Sequence, residues 1–278
     1  MNTKVTINPN YDHLSSFINR LPNEFASSGH LLFYGRNELR AFTVDGLRIV
    51  VKSYNKLTLA NRYIYGLFRK SKGQRAYENA LLLQNYQIST PDPIAYIDCY
   101  RNGRLVKNYF ISLFVSMPQL GQALGLPLSE NYNLLVDFAR FTFNLHEIGI
   151  FHGDYQQNNI LCAKTDKGYD FILIDNNRFK LQKKTKHRAM RNLERLYLPI
   201  EKYAVFAAEY ARLANENEIQ TIQSMLLHHQ ILLAFQKTKK QIKHGLDPLA
   251  ICPYLNLKKI EPQEFPSKQV NYLNISNI

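Results

Sequence analysis

The chain has 278 residues and is 45% hydrophobic, with 18 Tyr and 16 Phe, which is enough apolar mass for a buried core and enough length for two lobes. Lys and Arg outnumber Asp and Glu 35 to 22, and the net charge of +13 calls for an anionic partner: a nucleic acid, an acidic membrane surface or a phosphorylated substrate. A polar stretch over residues 1–10 and the lack of a long apolar run argue against secretion and membrane spanning, while Cys99, Cys162 and Cys252, without C-x-x-C spacing, suit a reducing compartment better than a zinc site or a disulfide framework.

The first third reads as strands and turns. Residues 38–44 and 47–52 flank Asp45-Gly46, a dipeptide whose left-handed preference predicts a two-residue hairpin, and Lys52 falls at the end of its apolar second strand. Residues 74–86 follow a helical pattern, with Ala76, Ala80 and Leu83 on one face and Glu78 nearby. Residues 94–100 and 105–115 flank Asn102-Gly103 and predict a second hairpin. Met117-Pro118-Gln119-Leu120-Gly121 reads as a connector, because Pro and Gly end the strand there. It divides the chain into a β-rich lobe, residues 1–118, and a mainly helical lobe, residues 119–278.

The second lobe opens with a predicted helix over residues 129–148, where Leu134, Phe138, Phe141, Leu145 and Ile148 recur at three- and four-residue steps. This helix delivers the chain to His152. Residues 168–175 form a short apolar strand, residues 204–213 and 219–235 read as two further helices, and the segment from residue 253 onward, with Pro262 and Pro266, reads as an irregular extension.

His152-Gly153-Asp154, Asn159 five residues beyond Asp154, and Asp175 closing the apolar run 171–174 form the metal-and-base kit of kinase-fold phosphotransferases. Phosphoryl transfer requires a positioned acceptor hydroxyl and neutralised phosphate charge. Asp154 is expected to take or orient the acceptor's hydroxyl proton, and Asn159 and Asp175 to give oxygen ligands to Mg²⁺, a hard cation. Lys52 is expected to hold the nucleotide's phosphates, with Glu78 paired to it. Each residue alone is an ordinary turn or surface residue; their order along the chain carries the reading. His152 is expected to be structural, hydrogen-bonded to the loop backbone. Gly153 stands where many protein kinases carry an arginine, which argues against an activation-loop switch. No G-x-G-x-x-G accompanies Gly29 and Gly35, so no residue is assigned to a loop covering the nucleotide.

The run from His152-Gly153-Asp154 through Asn159-Ile160-Leu161, with Ile172-Leu173-Ile174-Asp175 and Arg178, resembles the lipopolysaccharide core kinases, which phosphorylate Kdo or heptose in the inner core of the outer-membrane glycolipid. Asp175-x-x-Arg178 and the basic residues 69–75 before Glu78 favour that group over the aminoglycoside and choline kinases. The resemblance implies an α+β, two-lobed protein-kinase-like fold, ATP with Mg²⁺ as donor, a lipid-anchored saccharide as acceptor, and a peripheral place on the cytoplasmic face of the inner membrane. It implies Asp154 as catalytic aspartate, Asn159 and Asp175 as metal ligands, and Lys52 with Glu78 as the nucleotide pair. Members often carry Asp-Phe-Asp-Arg where this chain has Asp175-Asn176-Asn177-Arg178, one acid fewer.

An acidic glycolipid would also account for the charge. Residues 179–195, with Lys180, Lys183, Lys184, Lys186, His187, Arg188, Arg191 and Arg195, are the densest candidate for that contact, the plain alternative being a solvated helix face. A small-molecule phosphotransferase of the aminoglycoside or choline type, an atypical protein kinase, and a kinase-like module that binds nucleic acid are the competing readings. The +13 balance disfavours the first, and the missing Phe-Gly after Asp175 disfavours the second. For the third, the basic segment carries few aromatics, so no nucleic acid is expected.

Overall fold

The computed structural model describes residues 2–54 and 69–243. The extension expected beyond residue 253 and Cys252 lie outside the described residues.

Strands β1 (Asn2–Ile7), β2 (His30–Tyr34), β3 (Glu38–Val44), β4 (Leu47–Ser53), β5 (Pro93–Arg101) and β6 (Arg104–Leu113) make one sheet in the order β1-β5-β6-β4-β3-β2, and every pairing is antiparallel. Both expected hairpins are present. Asp45 and Gly46 have φ of 50° and 78°, and Asn102 and Gly103 have 52° and 72°, the left-handed pairs that a two-residue turn between twisted strands demands.

Helix α1 (Ser15–Glu24) covers one face of the sheet, as Leu14, Ile18, Leu21 and Phe25 recur at helical spacing and bury against Ile49, Val51, Ile97 and Ile111. Alternation along β4 therefore sends Ile49 and Val51 to that core and Lys52 to the opposite face. On that opposite face lies α2 (Lys72–Asn85), capped by the Ser71 hydroxyl, which accepts from the Gln74 amide at 2.9 Å.

The second core is built around α4 (Leu128–Glu147), which follows the four-residue α3 (Leu120–Ala123). Leu134, Phe138 and Leu145 are buried as expected, and Leu135, Ala139, Thr142 and His146 widen the buried stripe, whereas Ile148 is 40% exposed because the helix has ended before it. Short strands follow: β7 (Ile150–His152), β8 (Ile160–Thr165), β9 (Gly168–Leu173) and β10 (Phe179–Leu181), paired as β7 with β10 and β8 with β9. Helices α5 (Lys186–Leu193), α6 (Ile200–Ala214) and α7 (Glu218–Lys243) complete the layer, with Phe206, Ala207 and Tyr210 of α6 packed on the α4 core. Leu83 of α2 belongs to this second core, so α2 is fastened to both halves.

Candidate active site

Hairpin register brings two of the expected ligands together. Ile160 of β8 opposes Leu173 of β9, and the Ile174 amide donates to the Asn159 carbonyl at 3.0 Å, so Asn159 and Asp175 emerge at the same end of the ribbon. Asn159 donates its side-chain amide to the Asp154 carbonyl at 2.9 Å, which fixes the loop between them and leaves the amide oxygen on the other side. Asp175 takes left-handed backbone angles, φ 59° and ψ 45°, a conformation that Asp tolerates better than most residues.

His152 supplies the floor. Its Nδ1 accepts the Asp154 amide at 3.2 Å, which makes Nε2 the donor to the Ile174 carbonyl at 3.0 Å. Burial pushes the imidazole below its ordinary range, in keeping with a neutral, structural ring. It links the backbone beside Asp154 to the backbone beside Asp175, the role expected from the sequence.

Lys52 reaches this floor from the sheet. Its Nζ lies 2.7 Å from Asp175 Oδ1, and both side chains are largely withdrawn from solvent. Burial alone would raise the Asp175 carboxyl; the Lys52 charge and hydrogen bond, with a further hydrogen bond from Asn177, outweigh it and hold the group below the usual carboxylate range.

The expected Lys52–Glu78 pair is not formed. Glu78 Oε2 lies 2.7 Å from Lys70 Nζ, and its other oxygen accepts from Gln74 Nε2 at 3.0 Å. The reason is helix phase: the residue that α2 presents to the loop after Asp175 is Asn79, whose amide donates to the Asn176 carbonyl at 2.6 Å, and the neighbouring position points about 100° away. Sequence reasoning passed over Asn79, an uncharged residue beside a more suggestive acid.

Asn176 and Asn177, which replace an expected acid and its neighbour, brace the same turn. Asn176 is buried and donates to the Thr90 hydroxyl at 2.7 Å, while the Thr90 hydroxyl donates to the Leu173 carbonyl at 2.9 Å. Asn177 donates to Asp175 Oδ1, the oxygen that also faces Lys52.

Asp154 sits under two guanidinium groups. Arg195 Nη1 lies 3.4 Å from Oδ1 and Arg178 Nη1 lies 3.8 Å from Oδ2. Arg178 was visible as part of the Asp-x-x-Arg pattern, whereas Arg195 was one cation among many in the 179–195 run. Its signal was spatial, since the end of α5 returns to the loop: Asn192 donates to the His152 carbonyl at 2.7 Å. The same run divides. Lys184 pairs with Glu147 and Lys186 with Glu216, while Arg188 and Arg191 line a cavity behind the loop.

Lys52, Asp154, Asn159 and Asp175 thus converge between the sheet and the helical layer, with Glu78 outside the group. The oxygen donors fit a hard divalent cation: a carboxylate on Asp175, an amide oxygen on Asn159 and an ammonium beside them for phosphate charge. Those are the chemical requirements of phosphoryl transfer.

Comparison with known proteins points the same way. Residues 116–216 match the model of the lipopolysaccharide kinase (Kdo/WaaP) family, the group to which the sequence motif was likened. WaaP, solved in complex with acyl carrier protein, superimposes with a TM-score of 0.56 at 14% identity, covering 85% of this chain and 97% of that one. At that identity the likeness is one of fold, and it is the α+β, two-lobed kinase-like fold. The Rio2 kinase–ADP/Mg²⁺–phosphoaspartate complex from Chaetomium thermophilum gives 0.43 at 12% identity over 80% of this chain and 76% of that chain, too slight a likeness to argue from. No curated protein matches the chain in sequence.

Proposed function

We propose that this protein is an ATP-dependent kinase of the lipopolysaccharide inner core, that its acceptor is a sugar hydroxyl on a lipid-anchored saccharide, and that Kdo on lipid A is the substrate it fits best. The observation that carries the reading is the 2.7 Å contact between Lys52 and Asp175, because it joins a lysine of the sheet to the acid that follows β9, as a shared site for phosphate and metal requires. The family match over residues 116–216 supports the choice of acceptor class.

In this proposal Asp154 receives the proton of the attacking hydroxyl and aims its oxygen. Arg178 and Arg195, both already on that carboxylate, face the charge that builds on the transferring group. Asn159 and Asp175 would hold Mg²⁺, and Lys52 would leave Asp175 for the nucleotide's phosphates. Bound Mg·ATP supplies the phosphoryl group and neutralises its oxygens. Lobes divided near residue 118, a cytoplasmic place and contact with the anionic inner-membrane surface belong to the same proposal. So does a protein partner of the kind seen with WaaP. No helix among the described residues is long and apolar enough to cross a membrane.

The test is direct. Purified protein is incubated with labelled ATP and deacylated inner-core glycolipid, and the new phosphate is located by mass spectrometry. Transfer to a Kdo hydroxyl is expected; ATP turnover with no label on any inner-core sugar would overturn the acceptor, and stabilisation by single-stranded RNA but not by Mg·ATP would overturn the kinase.

A further inference from the structure

Against the loop that carries Asp154, and lined in part by His152, Gly153 and Tyr155, lies an open cavity of about 470 Å³. Its volume falls within the ~300–1,000 Å³ usual for small-molecule sites. Arg188 and Arg191 of α5 line it, with Arg195 in the turn just beyond that helix, and β7 and β10 line it as well, Lys180 coming from β10. These four permanent cations face a single carboxylate, Glu194.

Their commitments differ. Arg188 donates to the Lys183 carbonyl at 2.7 Å, and Arg195 is shared between Asp154 and Glu194. Lys180 and Arg191 form no side-chain hydrogen bond, ion pair or ring contact among the described residues. Two uncompensated cations brought by different elements to one concave site are an arrangement for an anion brought from outside.

We propose that this cavity receives a second anionic group of the acceptor, a carboxylate or phosphate carried by the same saccharide whose hydroxyl approaches Asp154. Gly153 lines the cavity and adjoins Asp154, and Arg195 reaches from the cavity wall to that carboxylate, so the anion and the hydroxyl are held one short saccharide apart. The inference rests on the kinase reading and adds a selection rule: a neutral sugar with the same hydroxyl is a poor acceptor.

The test uses the full chain, Mg·ATP, and two probes, deacylated inner-core saccharide and the same saccharide with its carboxyls reduced and phosphates removed. The wild-type protein should show a KM for the anionic probe lower than for the neutral one by on the order of tenfold. In Lys180→Gln/Arg191→Gln, the anionic probe's KM should rise about tenfold towards that of the neutral probe, with kcat and Mg·ATP affinity kept. Both positions are exposed, so folding is retained; Lys180→Arg/Arg191→Lys, which keeps the charge, should restore most of the affinity. Equal KM for the two probes in the wild-type protein, or no effect of the double variant, overturns the inference while leaving the kinase reading intact. Failure to bind Mg·ATP at all overturns the kinase reading instead. Flotation with phosphatidylglycerol vesicles separates the remaining source: if the double variant loses vesicle binding but keeps the anionic saccharide's KM, the cavity serves lipid headgroups and the inference fails.

Discussion

A methyl group at position 153 would collide with the Arg178 carbonyl oxygen and lie 3.0 Å from the Arg178 Cβ, and the Gly153 amide already donates to that carbonyl at 3.1 Å. The glycine is therefore a packing requirement of the β7–β10 contact as well as an absent arginine. Gly153→Ala should cost about 1–3 kcal/mol, read as a lower urea midpoint with unchanged slope. Asp154→Ala should behave in the opposite way, with stability kept and turnover lowered on the order of 100-fold or more. A rate within twofold of wild type would remove Asp154 from the proposed chemistry. Position 78 separates pattern from geometry. The order of motifs selected an acid on α2 and could not give the rotation of the helix, whereas the structure puts Asn79 on the turn and Glu78 on an exposed lysine. An exposed pair of that kind contributes at most about 1 kcal/mol, so Glu78→Ala should leave stability and Mg·ATP affinity nearly unchanged. Asn79→Ala, which strips a partner from the Asn176 carbonyl, should weaken Mg·ATP binding severalfold, on the order of the ~1 kcal/mol of one hydrogen bond. Isothermal titration of both variants distinguishes the two positions.

Among the elements, the hairpins were legible because Asp45-Gly46 and Asn102-Gly103 state their turn type in two letters. Strand β1 was not, since its first residues are polar and exposed, and it is an edge strand that earns its place only through pairing with β5. Helix α1 carried a clear apolar stripe, but Pro22 inside it masked the pattern. Nor could a sequence disclose the chain of contacts that ties three helices to the loop carrying Asp154. Tyr210 of α6 meets His146 Nδ1 at 2.8 Å, His146 Nε2 meets Asn192 Oδ1 at 3.0 Å, and Asn192 donates to the His152 carbonyl at 2.7 Å. Because Asn192 offers an oxygen, Nε2 carries a proton, and in the neutral ring Nδ1 accepts from the tyrosine, so neutral imidazole satisfies the network. Burial pushes His146 down to about 4 from 6.5. The unfolded chain therefore binds this proton from pH 6.5 downward while the folded chain refuses it until about pH 4, so stability falls as pH drops through that window and is unaffected by His146 above it. At ~1.4 kcal/mol for each tenfold difference in proton affinity, the loss reaches about 3 kcal/mol. Urea unfolding at pH 7.5 and pH 4.5 should show it, and His146→Gln, though less stable at pH 7.5, should show a shallower dependence. An unchanged slope in that variant would place the proton elsewhere.

At the scale of the molecule, three features meet: a net charge of +13, a cleft whose lobes touch through Lys52 and Asp175, and a basic cavity opening beside it. Charge was legible from composition alone, but composition could not say whether the cations of residues 179–195 form a surface or cancel locally. The structure divides them, with Lys184 and Lys186 neutralised by Glu147 and Glu216 and Arg188, Arg191 and Arg195 turned to the cavity. A field of that sign concentrates an anionic acceptor near the loop and contributes to encounter more than to the chemical step. Salt should therefore act on one kinetic constant. Raising NaCl from roughly 50 mM to 500 mM shortens the screening length from about 14 Å to about 4 Å. Attraction beyond direct contact is then largely screened, so kcat/KM for an anionic inner-core saccharide should fall on the order of tenfold while kcat changes little. Because the cavity cations lie outside the Lys52–Asp175 contact, the same salt series should leave kcat/KM for a neutral saccharide nearly flat. Steady-state rates with both saccharides across the series decide it. A fall in kcat itself would mean that salt is breaking the buried contacts of the site, and an equal fall for both saccharides would place the salt effect on nucleotide binding.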